Sequence, residues 1–334
     1  MTLPERINSD AALDDSLAEP SDSDLEFIFR LRGDVLILGA ERRRWGRLLA
    51  RRIQRAVKRT GRDSHVIAAS AILVSGKRRH ARDAKRGRHP DDRCDLLDPR
   101  QVGALPRCEH VLFWPAASSG HSIEPTSRGR PTRSRRRAWP STFASRAWWC
   151  SRQAMYSLVP VGGPAPTEDD RPAPVGEYAQ SCLGRERVIE FVSRQHAMPA
   201  LIFRLNYAVD LRYGALVDIA RRVFAGEPVD LAMGYFNAIW QGDANSYALG
   251  SLALCSTPPT ILNVTGPERI SVREIAGVVR PQTFGRSPRF ANSEGPLALL
   301  SDSSRCRALL GNRRCLSPFC GNGWPTGCRA ADRR

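Results

Sequence analysis

Apolar and polar positions follow two rhythms along much of this chain. GDVLILGA, residues 33–40, is a short apolar run ending at Gly39, and it predicts a strand buried on both faces. Residues 41–60 then place Trp45, Leu48, Leu49, Ile53 and Val57 at the spacing of one helix face. HVIAASAILV at 65–74 predicts a second strand. CDLLDP at 94–99 reads as a strand end and turn, and HVLFW at 110–114 as another strand. This β-α-β-α-β rhythm implies an α/β fold built on a doubly wound parallel sheet.

Residues 118–155 break the rhythm. SRGRPTRSRRRAWPSTFASRAWWCSRQAM has no consistent period. From Tyr156 the order returns. PAPVGEYAQS leads into a helix reaching about Gln195, and PALIFRLNYAV at 199–209 predicts a strand running into a loop. LVDIARRVFAGEPV at 216–229 is an amphipathic helix that turns at Gly226. NAIWQGDANSYALGSLAL at 237–254 reads as a short strand and a helix. TILNVTGPERISVREIAGVV at 260–279 gives a strand, a Gly-Pro turn and a helix, with Ser271 and Glu274 spaced as a capping box. The last thirty residues show no period.

Charge sharpens this division. The net charge is +17, from 48 arginines and 3 lysines against 34 acidic residues. Residues 1–40 carry −6, 41–155 carry +19, 156–304 carry −2 and 305–334 carry +6. The excess therefore sits in two blocks. The arginine skew fits a GC-rich coding sequence better than selection for nucleic acid, where either cation releases counterions. The acidic N-terminal segment has no apolar core of a secretory signal, and no run of eighteen apolar residues occurs, so a cytoplasmic protein without a membrane partner is expected. Nine scattered cysteines fit free thiols. Cys306, Cys315, Cys320 and Cys328 include no C-x-x-C pair, so no metal site is expected.

Four segments carry a resemblance: VLILGA at 35–40, CDLLDP at 94–99, EYAQSCLGRERV at 177–188, and IFRLNYAVDLRYG, IWQGDA and NVTGPERISVREIA within 202–276. They resemble the NAD-dependent epimerase/dehydratase family, the extended short-chain dehydrogenases. The resemblance implies a Rossmann-like NAD(P)-binding domain over 31–204, with 41–155 degraded, and a smaller substrate lobe with returning strands over 205–304. Residues 1–30 are expected to be a disordered or loosely attached leader, and 305–334 an irregular tail. It implies NAD or NADP as cofactor and a sugar-like substrate, and it is compatible with a homodimer. Tyr178 would be the acid/base, with Ser151 at the neighbouring strand end. Cofactor contacts would fall at Gly39, Ala40, Gly46, Asp95, Leu96 and Ala116. Substrate contacts would fall at Asn206, Tyr207 and Asp243.

Three departures stand against the family pattern. The phosphate loop GAERRRWG keeps Gly39 and Gly46 but has arginines 42–44 where a middle glycine allows close backbone approach. Arg152 holds the usual Ser/Thr place, although Ser151 precedes it. Cys182 stands where the family has the lysine that lowers the tyrosine pKa, and no lysine follows Lys85. These losses predict impaired activity. The other readings are a non-catalytic protein with a Rossmann-like core that binds a nucleotide or a partner, and, more weakly, a basic nucleic-acid binder through RPTRSRRR and its flanks.

A change of reading frame accounts for the first two departures. WCSRQAM, written with the synonymous codons TGG TGT TCT CGA CAG GCA ATG, reads Val-Phe-Ser-Thr-Gly-Asn two bases later. ERRRWG treated in the same way reads Ala-Ala-Lys-Met-Gly. Parts of 41–155, and about 311–334, are therefore expected to be translated out of frame, whereas Cys182 lies between flanks that match in frame. Sequencing the gene tests this: normal-frame codons with ordinary third-base GC bias through 41–155 overturn it.

Overall fold

Val35–Leu38 form strand β1, and all four residues are buried, which requires cover on both faces of the sheet. The computed structural model describes residues 7, 9–38, 45–71, 93–94, 100, 104–113, 146–152, 155–279 and 287–312. Around β1 it places β2 (Val66–Ala71), β3 (Arg93–Cys94), β4 (His110–Phe113), β5 (Arg146–Arg152), β7 (Ala200–Leu205) and β12 (Thr260–Val264). They form one parallel seven-stranded sheet in the order β12-β7-β5-β4-β1-β2-β3. From β1 the chain first builds outward through β2 and β3, then crosses back to β4 and continues the other way. The reversal between β1 and β4 opens a crevice at the carboxyl ends of these strands, the place where such sheets hold ligands.

Two helices precede the sheet, α1 (Asp10–Leu17) and α2 (Asp22–Arg30). The loose leader expected over 1–30 is thus corrected for residues 10–30. Ser9 caps α1, and Ser21 and Asp24 form a capping box on α2. Leu13, Leu17 and Ile28 are buried, each contributing about 2 kcal/mol before ordering costs. Composition alone hides this because the partners lie far along the chain. Helix α3 (Trp45–Thr60) turns Leu48, Leu49, Ile53 and Ala56 inward. Its other side carries Arg51, Arg55 and Arg59, which pair with Asp15 of α1 and with Glu19 just beyond it. Part of the basic block is therefore matched by the acidic one.

Further along, α4 (Gly176–His196) covers the sheet, α5 (Ala215–Ala225) ends at Gly226 in the left-handed region, and α6 (Gln241–Gly250) runs into a 3-10 turn. Four two-stranded sheets stand beside the main one. They pair β6 (Val159–Pro160) with β15 (Leu297–Ala298), β8 (Ala208–Val209) with β11 (Ile239–Trp240), β9 (Pro228–Asp230) with β14 (Arg289–Ala291), and β10 (Tyr235–Phe236) with β13 (Ile270–Ser271). Helix α7 (Val272–Val279) follows β13, and the Ser271 hydroxyl accepts from the Glu274 backbone N–H at 3.2 Å.

Two more expectations are corrected. The stretch without period at 118–155 contains β5 at 146–152, in parallel register between β4 and β7. RAWWCSR has arginine at both ends and so lacks the continuous apolar run by which β1 and β4 are read. The irregular tail begins with α8 (Ser304–Leu310), anchored by fully buried Cys306.

Arg52 of α3 pins α1, α2 and α6 together. Its guanidinium contacts Asp24 at 2.7–2.8 Å, Ser246 Oγ at 2.6 Å, and the carbonyls of Leu17 and Gly242 at 3.2 and 3.0 Å. Arg52 and Asp24 are 4% and 2% exposed. Replacing Arg52 by Met should therefore leave Asp24 buried without its cation and cost roughly 3–5 kcal/mol. Urea unfolding of R52M and of D24L/R52M checks this. The double variant should recover most of the loss.

Candidate functional site

The carboxyl ends of β5, β7 and β12 meet beside α4. Arg204 is the next-to-last residue of β7, level with Ser151 of β5 on one side and Asn263 of β12 on the other. Its guanidinium is 5% exposed. Nε and Nη2 donate to the Glu186 carboxylate of α4 at 2.8–3.2 Å, and Nη1 donates to the Tyr156 hydroxyl at 2.7 Å. Tyr156 in turn donates to Asn263 Oδ1 at 2.9 Å. Burial pushes the Tyr156 phenol above its ordinary range, and the Arg204 cation works against that push. Burial also disfavours the Arg204 cation, but the Glu186 carboxylate more than offsets it.

The loop before α4 closes this network from below. Glu168 is buried, and its Oε1 accepts the Asn263 backbone N–H at 2.7 Å. Desolvation raises the Glu168 pKa; the Asn263 N–H and Arg305, 3.7 Å away, pull the other way. Asn206, just after β7, is buried, and its Nδ2 donates to Asn237 Oδ1 at 2.5 Å, while its own Oδ1 has no partner. Asn237 passes the chain of bonds to the Ser301 carbonyl at 2.7 Å. Tyr156, Arg204, Asn206, Asn263 and Ser301 line a cavity of about 20 Å³, room for about one water molecule.

Tyr178 lies in the first turn of α4 and is half-buried, packed on the cluster of Met155, Tyr156 and Cys182. Cys182, one turn on, is fully buried, and Arg185 donates to its Sγ. Tyr207 has φ +31°, a left-handed backbone, and sets its ring edge-on to Phe236 at 5.6 Å. The Asp210 carboxylate organises the loop beyond it, accepting from the backbone N–H groups of Arg212 and Tyr213 at 2.7 and 3.1 Å, and Arg212 also reaches Asp14 of α1.

The structure thus brings Tyr178 to the network around Tyr156, Arg204 and Asn206. Ser151 stands at the end of β5 beside that network. Asp243 sits in the first turn of α6, where a carboxylate suits the helix dipole. Gly46 is buried in the first turn of α3. Gly39, Ala40, Asp95, Leu96 and Ala116 lie outside the described residues. Sequence reading missed Tyr156, Arg204, Glu186, Asn263 and Glu168. A polar residue inside an apolar strand run, Arg204 in ALIFRL, was the available signal. A larger cavity of about 760 Å³, lined by Phe27, Arg30, Arg32, Glu109, His110 and Leu310, opens at the amino ends of β1 and β4, the edge opposite the crevice.

No protein-family model matches the chain, and no curated protein matches it. Solved structures do. A UDP-glucose 4-epimerase of Thermotoga maritima with UDP-glucose has TM-score 0.67 at 15% identity, covering 90% of this chain and 100% of that one. A dTDP-glucose 4,6-dehydratase of Streptomyces venezuelae with NAD bound has TM-score 0.66 at 18% identity, covering 90% and 98%. A UDP-glucuronic acid 4-epimerase of Bacillus cereus with NAD has TM-score 0.65 at 15% identity, covering 89% and 99%. The chain therefore has the Rossmann fold of these enzymes. No described helix is long and apolar enough to cross a membrane.

Glu168 yields a pH prediction. Its raised pKa means that the folded state holds the proton more tightly than the unfolded chain. Its contribution is most favourable below the unfolded value, near 4.5, and is lost as pH rises through the folded value. Glu168→Gln keeps the acceptor for Asn263 and removes the buried charge. It should be more stable than the parent at neutral pH, with the advantage vanishing as pH falls toward 4.5. Thermal unfolding across pH reads this out; a constant difference contradicts it.

Proposed function

We propose that this chain is a dinucleotide-dependent enzyme of the epimerase/dehydratase type, acting on a nucleotide-sugar substrate. One observation carries the reading: Tyr178 on α4 packs on the cluster of Met155, Tyr156 and Cys182, and Tyr156 belongs to the buried polar network at the carboxyl ends of β5, β7 and β12, in a sheet whose order reverses between β1 and β4. The solved relatives with NAD or UDP-glucose support the ligand classes.

The reversal of the strand order supports a dinucleotide at the carboxyl edge of the sheet, and residues 39–44 between β1 and α3 lie outside the described residues. Helix α3 starts seven residues after the end of β1, and Gly46 in its first turn places no side chain against an approaching pyrophosphate. The helix N-terminus and Gly46 would hold the phosphates, and a bound nicotinamide would accept or return a hydride. Tyr178 would exchange a proton between its phenol oxygen and a substrate hydroxyl. Asn206 Oδ1, buried without a partner, would accept a hydrogen bond from the substrate, because an unpaired buried acceptor is costly to keep. Tyr207, Asp243 and Ser151 would border the same space. Tyr156, Arg204 and Glu186 would keep the strand ends rigid around it.

A second reading, a protein that binds the nucleotide without turnover, is favoured by Cys182, which is fully buried at the place of the family lysine. Calorimetry with NAD, NADP and UDP-glucose separates these readings from a chain without either site. The enzyme reading expects micromolar binding and turnover that Tyr178→Phe lowers by about 100-fold or more, with NAD affinity retained. Binding without turnover leaves the second reading, and absence of dinucleotide binding overturns both.

A further inference from the structure

Buried arginines recur in this protein, and most bring their own carboxylate. Arg52 has Asp24, Arg204 has Glu186, and partly buried Arg212 has Asp210 and Asp14. Arg185 differs. It is 9% exposed, yet no carboxylate lies within ion-pair distance among the described residues, and its Nε has no hydrogen-bond partner. Among the described residues its one hydrogen bond runs from Nη2 to the sulfur of Cys182. A guanidinium desolvated in this way is expensive to retain without a purpose.

The geometry of α4 supplies a purpose. Side chains on a helix lean toward its N-terminus, so Arg185 runs back over the preceding turn. It ends on Cys182, and Cys182 shares a cluster with Tyr156 on which Tyr178 packs. Residues 178, 182 and 185 follow one helix face. A long side chain at 182 would fill this space; the short thiol leaves it to the guanidinium.

We infer that Arg185 provides the positive charge of the phenol site, in the space that Cys182 leaves open, and that it stabilises the phenolate of Tyr178. This rests on the proposed role of Tyr178 as acid/base. Arg185 acts through Tyr178 rather than on the substrate, so it is a positioning residue. The Cys182 thiol itself takes no part beyond its small size.

The test titrates the six tyrosines of the full-length protein by NMR after labelling with tyrosine carrying ¹³C at the hydroxyl-bearing ring carbon. Tyr178→Phe assigns the signal. Arg185→Leu should raise the Tyr178 midpoint by about one pH unit, Arg185→Lys should largely keep it, and Cys182→Ala should leave it unchanged. The Tyr156 signal should stay in place in all three. An unmoved Tyr178 midpoint in folded R185L overturns the inference, as does an equal shift at Tyr156, which would show a structural relay. Should R185L fail to fold, R185K decides alone: its midpoint must follow the parent's, and a midpoint raised by a full unit overturns the inference. Failure of the parent to bind NAD sinks the enzyme reading, while the titration still decides whether Arg185 acts on Tyr178.

Discussion

A guanidinium buried at the carboxyl end of a parallel strand sets the terms for everything near it. Arg204 lies on β7 between β5 and β12, in a strand whose residues are all buried. Left alone, its charge would cost several kcal/mol. The forked contact with Glu186 and the bond to Tyr156 make it tolerable, and both partners are thereby fixed. Glu186 fixes the rotation of α4, which aims Tyr178 and Cys182 at the same region. Tyr156 fixes the loop after β5, and Asn263 and Glu168 extend the grip to β12. The geometry of the candidate site follows from satisfying one buried cation.

The same physics separates structural charge from charge available for chemistry. Arg204 and Arg52 spend their donors on protein acceptors and hold elements together. Asn206 Oδ1 and Arg185 Nε have no such partners.

Much of the fold was legible because parallel strands and amphipathic helices write clear patterns. VLIL is apolar throughout, HVLF and ALIFRL are apolar but for His110 and Arg204, and the three became β1, β4 and β7; Leu48, Leu49 and Ile53 marked the inner face of α3. What escaped was set by distant partners. The acidic N-terminal residues look unfoldable until the arginines of α3 are placed beside them, and β5, RAWWCSR, lacks the apolar run that marks β1 and β4. In the candidate site, EYAQSC drew notice to Tyr178, but Tyr156 and Glu186 gain their meaning only across the Arg204 contact. Cys182 looked like a plain loss because the residue reaching its sulfur sits a turn further along.

The two N-terminal helices have a consequence for biosynthesis. They are made before α3 and the sheet, yet part of their resting place is made late: Arg52 and Asp24 share Ser246, and Ser21 lies beside the same hydroxyl across 225 residues of chain. Until α6 has emerged, α1 and α2 can engage α3 alone, with the Arg52 site half-built. Contacts this remote in sequence close slowly, so the acidic pair is made before its partners and is among the last of these elements to be locked in place. The acidic side chains that later neutralise α3 would in the meantime keep the nascent chain's basic stretch in the company of opposite charge.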